Sequence, residues 1–364
     1  MRLFNLLLLL AFLVLSCDPI EIDNTSTDPQ TVYSEIFPIS SFANGHFIDS
    51  EGNEIFPWGY NYTNAEGVGL IEDDWHNTDT WNLIIEDFED MKRYSANIVR
   101  IHLQYNQFML DVNTPNTENL NKLNDLVAVA EEIGLYLDIT GLAAYRKSDS
   151  PEWYDSLSDQ ERWETQQVFW KNIAQTVGGS KAVFAYNLIN EPVVGVGCTV
   201  VGECEWLPGD GFGGFYFVQN ISLDPANTFA ETIKEWSSQM TEAIRAVDQK
   251  TMITIGFLNL GDIKQFDTHL DYVSSHIYPK SEEIEESINF IENNQTTPLI
   301  IEETGNLNCS IIELEEFLDA IDGKYHGLLG HYHGTPIPEM NNFDIRDALR
   351  KNYINMMIDR DPNQ

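Results

Sequence analysis

Val183-Phe184-Ala185-Tyr186-Asn187-Leu188-Ile189-Asn190-Glu191-Pro192 is the stretch on which the fold turns. Its first seven residues are apolar at every position but Asn187. A run without alternation is buried on both faces, as a parallel strand covered by helices is. Comparable runs cover Phe56–Asn61, Asn97–Leu103, Leu135–Thr140, Met252–Phe257, Tyr272–Ile277, Pro298–Glu302 and Leu328–His331. Amphipathic stretches lie between them. The clearest carries Phe229, Ile233, Trp236, Met240, Ile244 and Val247, a spacing of three or four that makes one apolar helix face. Others fall near 80–95, 119–133, 159–176, 310–322 and 342–356. Asp49-Ser50-Glu51-Gly52, ahead of the first run, has the composition of a hairpin turn and is expected to cap the floor. Alternating strands and helices of this kind, in roughly eight units, predict an α/β fold, the (β/α)8 TIM barrel. A doubly wound sheet would need a Gly-rich phosphate loop after the first strand, and Gly59-Tyr60-Asn61-Tyr62 is not one.

The chain has 364 residues, with 58 Asp and Glu against 20 Lys and Arg, and a formal net charge of −38. That balance excludes nucleic acid as a partner, because a polyphosphate needs a cationic face. It equally disfavours docking on anionic lipid head groups. It fits a neutral substrate and a well-hydrated surface. The composition, 43% hydrophobic and 12% aromatic, is ample for a packed core.

Residues 1–17 have the pattern of an export signal. Arg2 supplies the positive start, and Leu3 to Leu15 form an apolar run broken only by Asn5. The run is shorter than the ~20 apolar residues of a spanning helix. It ends Val14-Leu15-Ser16-Cys17, which resembles a bacterial lipobox. The resemblance implies cleavage and a lipid anchor on Cys17, hence an exported protein on the outer membrane or cell surface, or in the periplasm; an ordinary secretory signal is the alternative. Residues 18–36 are polar and acidic and are expected to form a flexible tether, leaving 37–364 as the barrel domain. Cys198 and Cys204 are expected to close a small loop in an oxidising compartment, and Cys309 to be a buried thiol. No Cys/His spacing marks a structural zinc site.

In a barrel, chemistry sits at the C-terminal ends of the strands. The fourth run ends Asn190-Glu191-Pro192 and the seventh Glu302-Glu303-Thr304-Gly305. Two carboxyls aimed across one pocket from opposite strands are what glycosidic cleavage needs: one protonates the leaving oxygen and the other attacks the sugar carbon. Here the chain, over roughly residues 42–335, resembles the retaining glycosidases built on TIM barrels, and most closely glycoside hydrolase family 5, the cellulases and mannanases. The resemblance rests on Asn190-Glu191-Pro192, on Glu303-Thr304-Gly305, on Arg100 within Asn97-Ile98-Val99-Arg100-Ile101, and on His276-Ile277-Tyr278. It implies that Glu191 is the acid/base and Glu303 the nucleophile. It implies a retaining β-glycosidase acting on a β-linked poly- or oligosaccharide, of the β-mannan or β-glucan class, with no cofactor and no metal, working as a monomer.

In this reading Arg100 and Tyr278 hold the Glu303 carboxylate. Asn190 bonds the sugar 2-OH, and His276 orients sugar hydroxyls or Glu191. His102 and Asn61, at strand tops, complete the first set of substrate-binding candidates. By strand alternation Glu302 is expected to point the other way. Taken singly, each feature has a plainer explanation: a solvated Glu before Pro, a structural ion pair, a core His and Tyr. Their order, each at a strand end, favours the site.

Two segments depart from the family. After strand 3, Asp138-Ile139-Thr140-Gly141-Leu142 lacks the usual His. Strand 8, Leu328-Leu329-Gly330-His331-Tyr332-His333, lacks the Trp that floors the cleavage subsite, and His331 or Tyr332 falls in its place. Tyr332 is expected to offer its ring to a sugar face. The loop 193–225 carries Trp206, Phe212, Phe215, Tyr216 and Phe217 among glycines. It is either a sugar-stacking specificity element, with Trp206 as a platform, or a self-packed flap pinned by Cys198 and Cys204. Trp75 and Trp153 are expected at the cleft rim, and Trp81 and Trp163 in the core. Two other functions remain open: a catalytically degenerate barrel acting as a surface glycan-binding lipoprotein, and a transglycosylase using the same carboxylates.

Overall fold

A computed structural model describes residues 33–63, 69–200, 202, 204–209, 211, 214–258, 270–293 and 298–364. The export signal, the lipobox with Cys17, tether positions 18–32 and Phe212 lie outside the described residues. Residues 33–36, assigned to the tether from sequence, lie against the barrel: Ile36 is buried, the Tyr33 hydroxyl donates to Glu89, and Lys92 donates to Ser34 Oγ.

The eight parallel runs form a closed barrel in chain order. They are β1 (Trp58–Tyr62), β2 (Ile98–Gln104), β3 (Tyr136–Ala143), β4 (Val183–Asn190), β5 (Met252–Phe257), β6 (Val273–His276), β7 (Leu299–Glu303) and β8 (Leu328–Tyr332). β8 closes on β1 with Leu328 opposite Trp58 and Tyr332 opposite Tyr62. β3 and β4 are buried at every position, which is why their sequences do not alternate.

The outer helices are α1 (Thr78–Arg93), α2 (Thr117–Ile133), α3 (Asp159–Val177), α4 (Phe229–Arg245), α5 (Ile284–Asn293), α6 (Ile311–Ala320) and α7 (Ile345–Asp359). Asn77 caps α1 by accepting from Asp79 N at 2.8 Å, and Ser310 and Glu313 form a capping box on α6. On α4 the expected face buries Ile233, Trp236, Met240 and Ile244, whereas Val247 lies past the helix end and is exposed. The sequence reading missed α5, a short helix in which only Ile291 is buried. No described helix is long and apolar enough to cross a membrane.

Beneath the barrel lies a three-stranded antiparallel sheet, Ile39–Ala43, His46–Asp49 and Glu54–Ile55. Asp49 Oδ1 accepts from Glu51 N and Asn53 N, each at 2.9 Å, and so builds the expected turn. This sheet sends Phe47 up as a plug: its ring centroid lies 5.1 Å from Phe184 and 5.8 Å from Tyr272. The floor is thereby closed and the open end is the other one, where Asn190, Glu191, His276 and Glu303 stand.

Three register shifts shape that open end. Along β6 and β7, Ser275 pairs with Ile301 and the next residue, His276, pairs with Glu303. Glu302 is the extra residue of a bulge, which breaks the alternation of side chains there. Similar shifts occur between β4 and β5 and between β2 and β3.

Candidate active site

Glu191 follows the last residue of β4 and takes φ +43°, in the left-handed region that side chains seldom adopt. Its N–H donates to Gly256 O at 2.8 Å, which ties the turn to β5. This backbone swings the carboxyl over the barrel axis, where Oε1 meets His276 Nδ1 at 2.7 Å. From β7, Glu303 reaches the same place. Its Oε1 accepts from Arg100 Nη1 at 2.6 Å and its Oε2 from the Tyr278 hydroxyl at 2.8 Å. One oxygen of Glu191, one of Glu303 and one ring nitrogen of His276 lie within 4.8 Å of one another. Among the described residues this is the one trio that brings three such ligand atoms together. The hydrogen bonds to Arg100, Tyr278 and His276 engage these oxygens, so the trio reads as a carboxyl pair with its histidine.

The charge states follow from the neighbours. Burial alone would raise the Glu303 carboxyl, but His276 and then Arg100 outweigh it and hold the group well below the usual carboxylate range. Burial alone would lower the Arg100 guanidinium, yet Glu302 and Glu303 raise it, so this fully buried side chain stays charged. Burial likewise opposes charge on His276, and Glu303, Glu191 and Glu302 together push it up to about 9. Burial and then Glu303 keep Tyr278 protonated as a donor. Its oxygen meets His331 Nε2 at 2.7 Å, and burial lowers that imidazole, leaving it neutral.

Of the residues singled out from sequence, the structure brings together Glu191, Glu303, Asn190, Arg100, His276, Tyr278, Asn61 and His102. Arg100 holds Glu303 as expected, but it is 0% exposed and is no substrate contact itself. Asn190 Oδ1 accepts from Arg100 Nη2 at 3.0 Å, and its Nδ2 donates to Phe217 O at 3.1 Å. His102 is half-buried, with Nδ1 on the Tyr145 hydroxyl at 2.6 Å. Asn61 is a correction: both its amide hydrogens go to backbone oxygens, of Glu302 at 2.8 Å and Gly330 at 2.9 Å, and Oδ1 accepts from Arg100. It supports the site and does not face a sugar.

Tyr332 is a second correction. Strand alternation sends it to the outer face of β8, where it is fully buried and its hydroxyl donates to Asp90 at 3.1 Å. His331 is the strand-8 residue that faces the cleft, stacked on Tyr278 with ring centroids 6.1 Å apart. Trp206 is a third. It is 4% exposed, lies under the Arg162 guanidinium at 4.0 Å, and bonds Asp155 O, so its faces are used inside the protein. Trp75 is fully buried with Nε1 on Asn119, not at the rim, and Trp153 is half-buried against Tyr105. Trp163 is buried as expected, while Trp81 is only half-buried.

Cys198 and Cys204 are joined within the loop after β4, and Cys309 is half-buried rather than buried. The loop mixes its two expected characters. Tyr216 N donates to Tyr145 O, and Phe215 packs on the Tyr145 cluster, while Phe217 stays 44% exposed beside Asn190. Two cavities flank the carboxyls. One of about 360 Å³ lies beside Gly305, His331 and His333, with Leu307, Met340 and Arg350. Another of about 610 Å³ opens beside His276 and Tyr278, with Leu258 and Phe290.

Sequence reasoning missed two contributors, Thr140 and Asn187. Thr140, in the segment that lacks the usual histidine, accepts from Arg100 Nε at 2.8 Å. Glu302 points inward, against the direction expected of it, and His331 takes the place for which Tyr332 is the alternative. Asn187 had a signal, as the lone polar residue in the β4 run.

The cellulase model, glycosyl hydrolase family 5, matches residues 48–321. No curated protein matches the sequence. Among solved structures, an exo-β-1,4-mannosidase from an Opitutaceae bacterium superposes with TM-score 0.63 at 16% identity, over 88% of this chain and 62% of that one. A β-glucanase from Saccharophagus degradans, in complex with cellotetraose, gives 0.61 at 15% identity over 91% and 95%. A β-1,4-mannanase from the sea hare Aplysia kurodai gives 0.61 at 16% identity over 89% and 98%. These likenesses share the barrel, and the matched model spans most of the chain: the protein belongs to glycosyl hydrolase family 5 and is a glycoside hydrolase.

Proposed function

We propose that this enzyme cleaves a β-linked saccharide with net retention, through Glu191 as acid/base and Glu303 as nucleophile. The observation that carries this is the approach of the two carboxyls. An oxygen of each within 4.8 Å of the other is in line with the ~5–5.5 Å carboxyl spacing of retaining enzymes and short of the ~6.5–9.5 Å of inverting pairs. Glu191 delivers its proton to the glycosidic oxygen while Glu303 attacks the anomeric carbon and the carbon–oxygen bond breaks. Water then attacks that carbon, gives a proton back to Glu191, and releases Glu303. Arg100 and Tyr278 keep Glu303 ionised and aimed between steps. The substrate class is β-mannan or β-glucan, in line with the names of the superposed enzymes.

The test is direct. Glu303→Ala should abolish release of an aryl β-glycoside's phenol with the fold intact, and Glu191→Gln should lose ~10²–10⁴-fold on a substrate whose leaving group needs protonation. The first-formed sugar, followed by NMR, should have the β-anomer's configuration. An α-anomer first, or a fully active Glu303→Ala, would remove the proposal. Release of reducing ends from β-mannan, β-glucan and xylan would assign the polymer. Binding without release would favour a glycan-binding barrel, and elongated products with a sugar acceptor would favour transglycosylation.

A further inference from the structure

Glu302 is the carboxylate that the two-glutamate scheme leaves unused. The β7 bulge turns it into the barrel, one level below Glu303, where it is 0% exposed. Asn187 Nδ2 donates to its Oε1 at 2.7 Å. Its Oε2 faces Arg100 Nη2 at 3.3 Å and His276 Nε2 at 3.4 Å. Gly256 makes room for this meeting: a Cβ there would lie 2.8 Å from Glu302 Oε2 and 3.2 Å from His276 Nε2. Beneath stands Asp138, also buried, whose Oδ2 accepts from the Tyr272 hydroxyl at 3.1 Å and whose Oδ1 has no donor among the described residues. Two touching buried carboxyls hold one proton between them. Burial, then the Glu302 charge, pushes Asp138 well up, so the proton sits on Asp138 and Glu302 stays ionised.

His276 is therefore bracketed by carboxylate. Nδ1 lies 2.7 Å from Glu191 and 3.5 Å from Glu303, and Nε2 faces Glu302. A neutral imidazole carries one N–H and one lone pair, and a lone pair aimed at an ionised carboxylate is repelled. We propose that Glu302 is a positioning residue for the acid/base: it holds a proton on Nε2 of His276, so that Nδ1 alone shares with Glu191 the proton the leaving oxygen takes. That proton leaves on cleavage and is refilled from water in the second step, while Nε2–H stays throughout. Arg100 on β2 opposes positive charge on the ring, His102 on β2 and His331 on β8 are held neutral beside it by burial, and the three carboxylates favour it. Tyr278, two residues past β6, spends its hydrogen on Glu303.

The inference rests on the two-glutamate reading, and two measurements test it. The first is the pH profile of kcat/KM for wild type and Glu302→Gln on an aryl β-glycoside. Removing the Glu302 charge weakens the hold of His276 on its protons, so the alkaline limb moves to lower pH. Each unit of displacement is a tenfold loss at fixed alkaline pH. Glu302→Asp, which keeps the charge, restores the limb toward wild type. A uniform loss with the limb unmoved marks a merely structural residue and overturns the proposal. The second uses wild type alone, so it decides even if the variant fails to fold: ¹⁵N NMR of the His276 ring should show Nε2 protonated up to the alkaline limb, and a bare Nε2 there overturns the proposal. If Glu303→Ala stays active, the two-glutamate reading falls and takes this inference with it. If it is inactive while the limb stays put, only this inference falls.

Discussion

At the scale of single residues, the site is held by groups that never touch a sugar. Gly256 is the clearest, because any side chain there collides with Glu302, Arg100 and His276 at once. Gly256→Ala should shift that cluster and lower kcat/KM by ~10²-fold, as an ångström of misplacement does. An alanine variant with wild-type rate would show that the close packing is irrelevant to catalysis. Glu72 gives a separate prediction for stability. It is buried beneath the end of β2, accepts from Gln104 N, and burial pushes its carboxyl up to about 8. Between the unfolded value of 4.5 and about 8 the folded chain keeps a proton that the unfolded chain has lost. Stability from this group therefore falls as pH rises through that window, by up to ~1.4 kcal/mol per unit. Glu72→Gln should flatten the change in melting temperature between pH 5 and pH 8, and an unchanged slope would refute it. The residue types that carry chemistry were legible in sequence because they stand at strand ends. Glu302 was misplaced because alternation was assumed through a bulge, and a bulge leaves no mark in residue type.

At the scale of elements, the eight strands were legible to within a residue or three at each end. Continuous apolar runs have few other uses in a chain this charged, and the strands' double-sided burial preserves them. Which way a strand-end residue faces was harder. Tyr332 and His331 are neighbours with opposite fates, and one step in register exchanges them. Tyr332→Phe tests the assignment. It should cost ~1 kcal/mol of stability through the lost bond to Asp90 while leaving KM for a saccharide as it was. A large rise in KM would return Tyr332 to the cleft. The aromatic loop after β4 misled for a different reason: Trp206 has the chemistry of a sugar platform, but the Arg162 guanidinium already occupies its face.

At the scale of the whole molecule, the charge of −38 and the proposed neutral sugar substrate agree, since neither asks for a cationic cleft. We further propose that the chain is exported and anchored by lipid at Cys17. Cys17→Ser should then move the protein from the membrane to the soluble fraction of cells that express it, and an unchanged distribution would exclude the anchor. The central claim concerns one bond between Glu303 and a sugar carbon. An activated 2-deoxy-2-fluoro β-glycoside, whose slow second step lets the intermediate accumulate, followed by peptide mass spectrometry, tests it most directly. The account predicts one sugar on the peptide that carries Glu303, fragmenting to position 303. A sugar on Glu302 or Glu191, or full turnover with no labelled peptide and an inverted product, would contradict it.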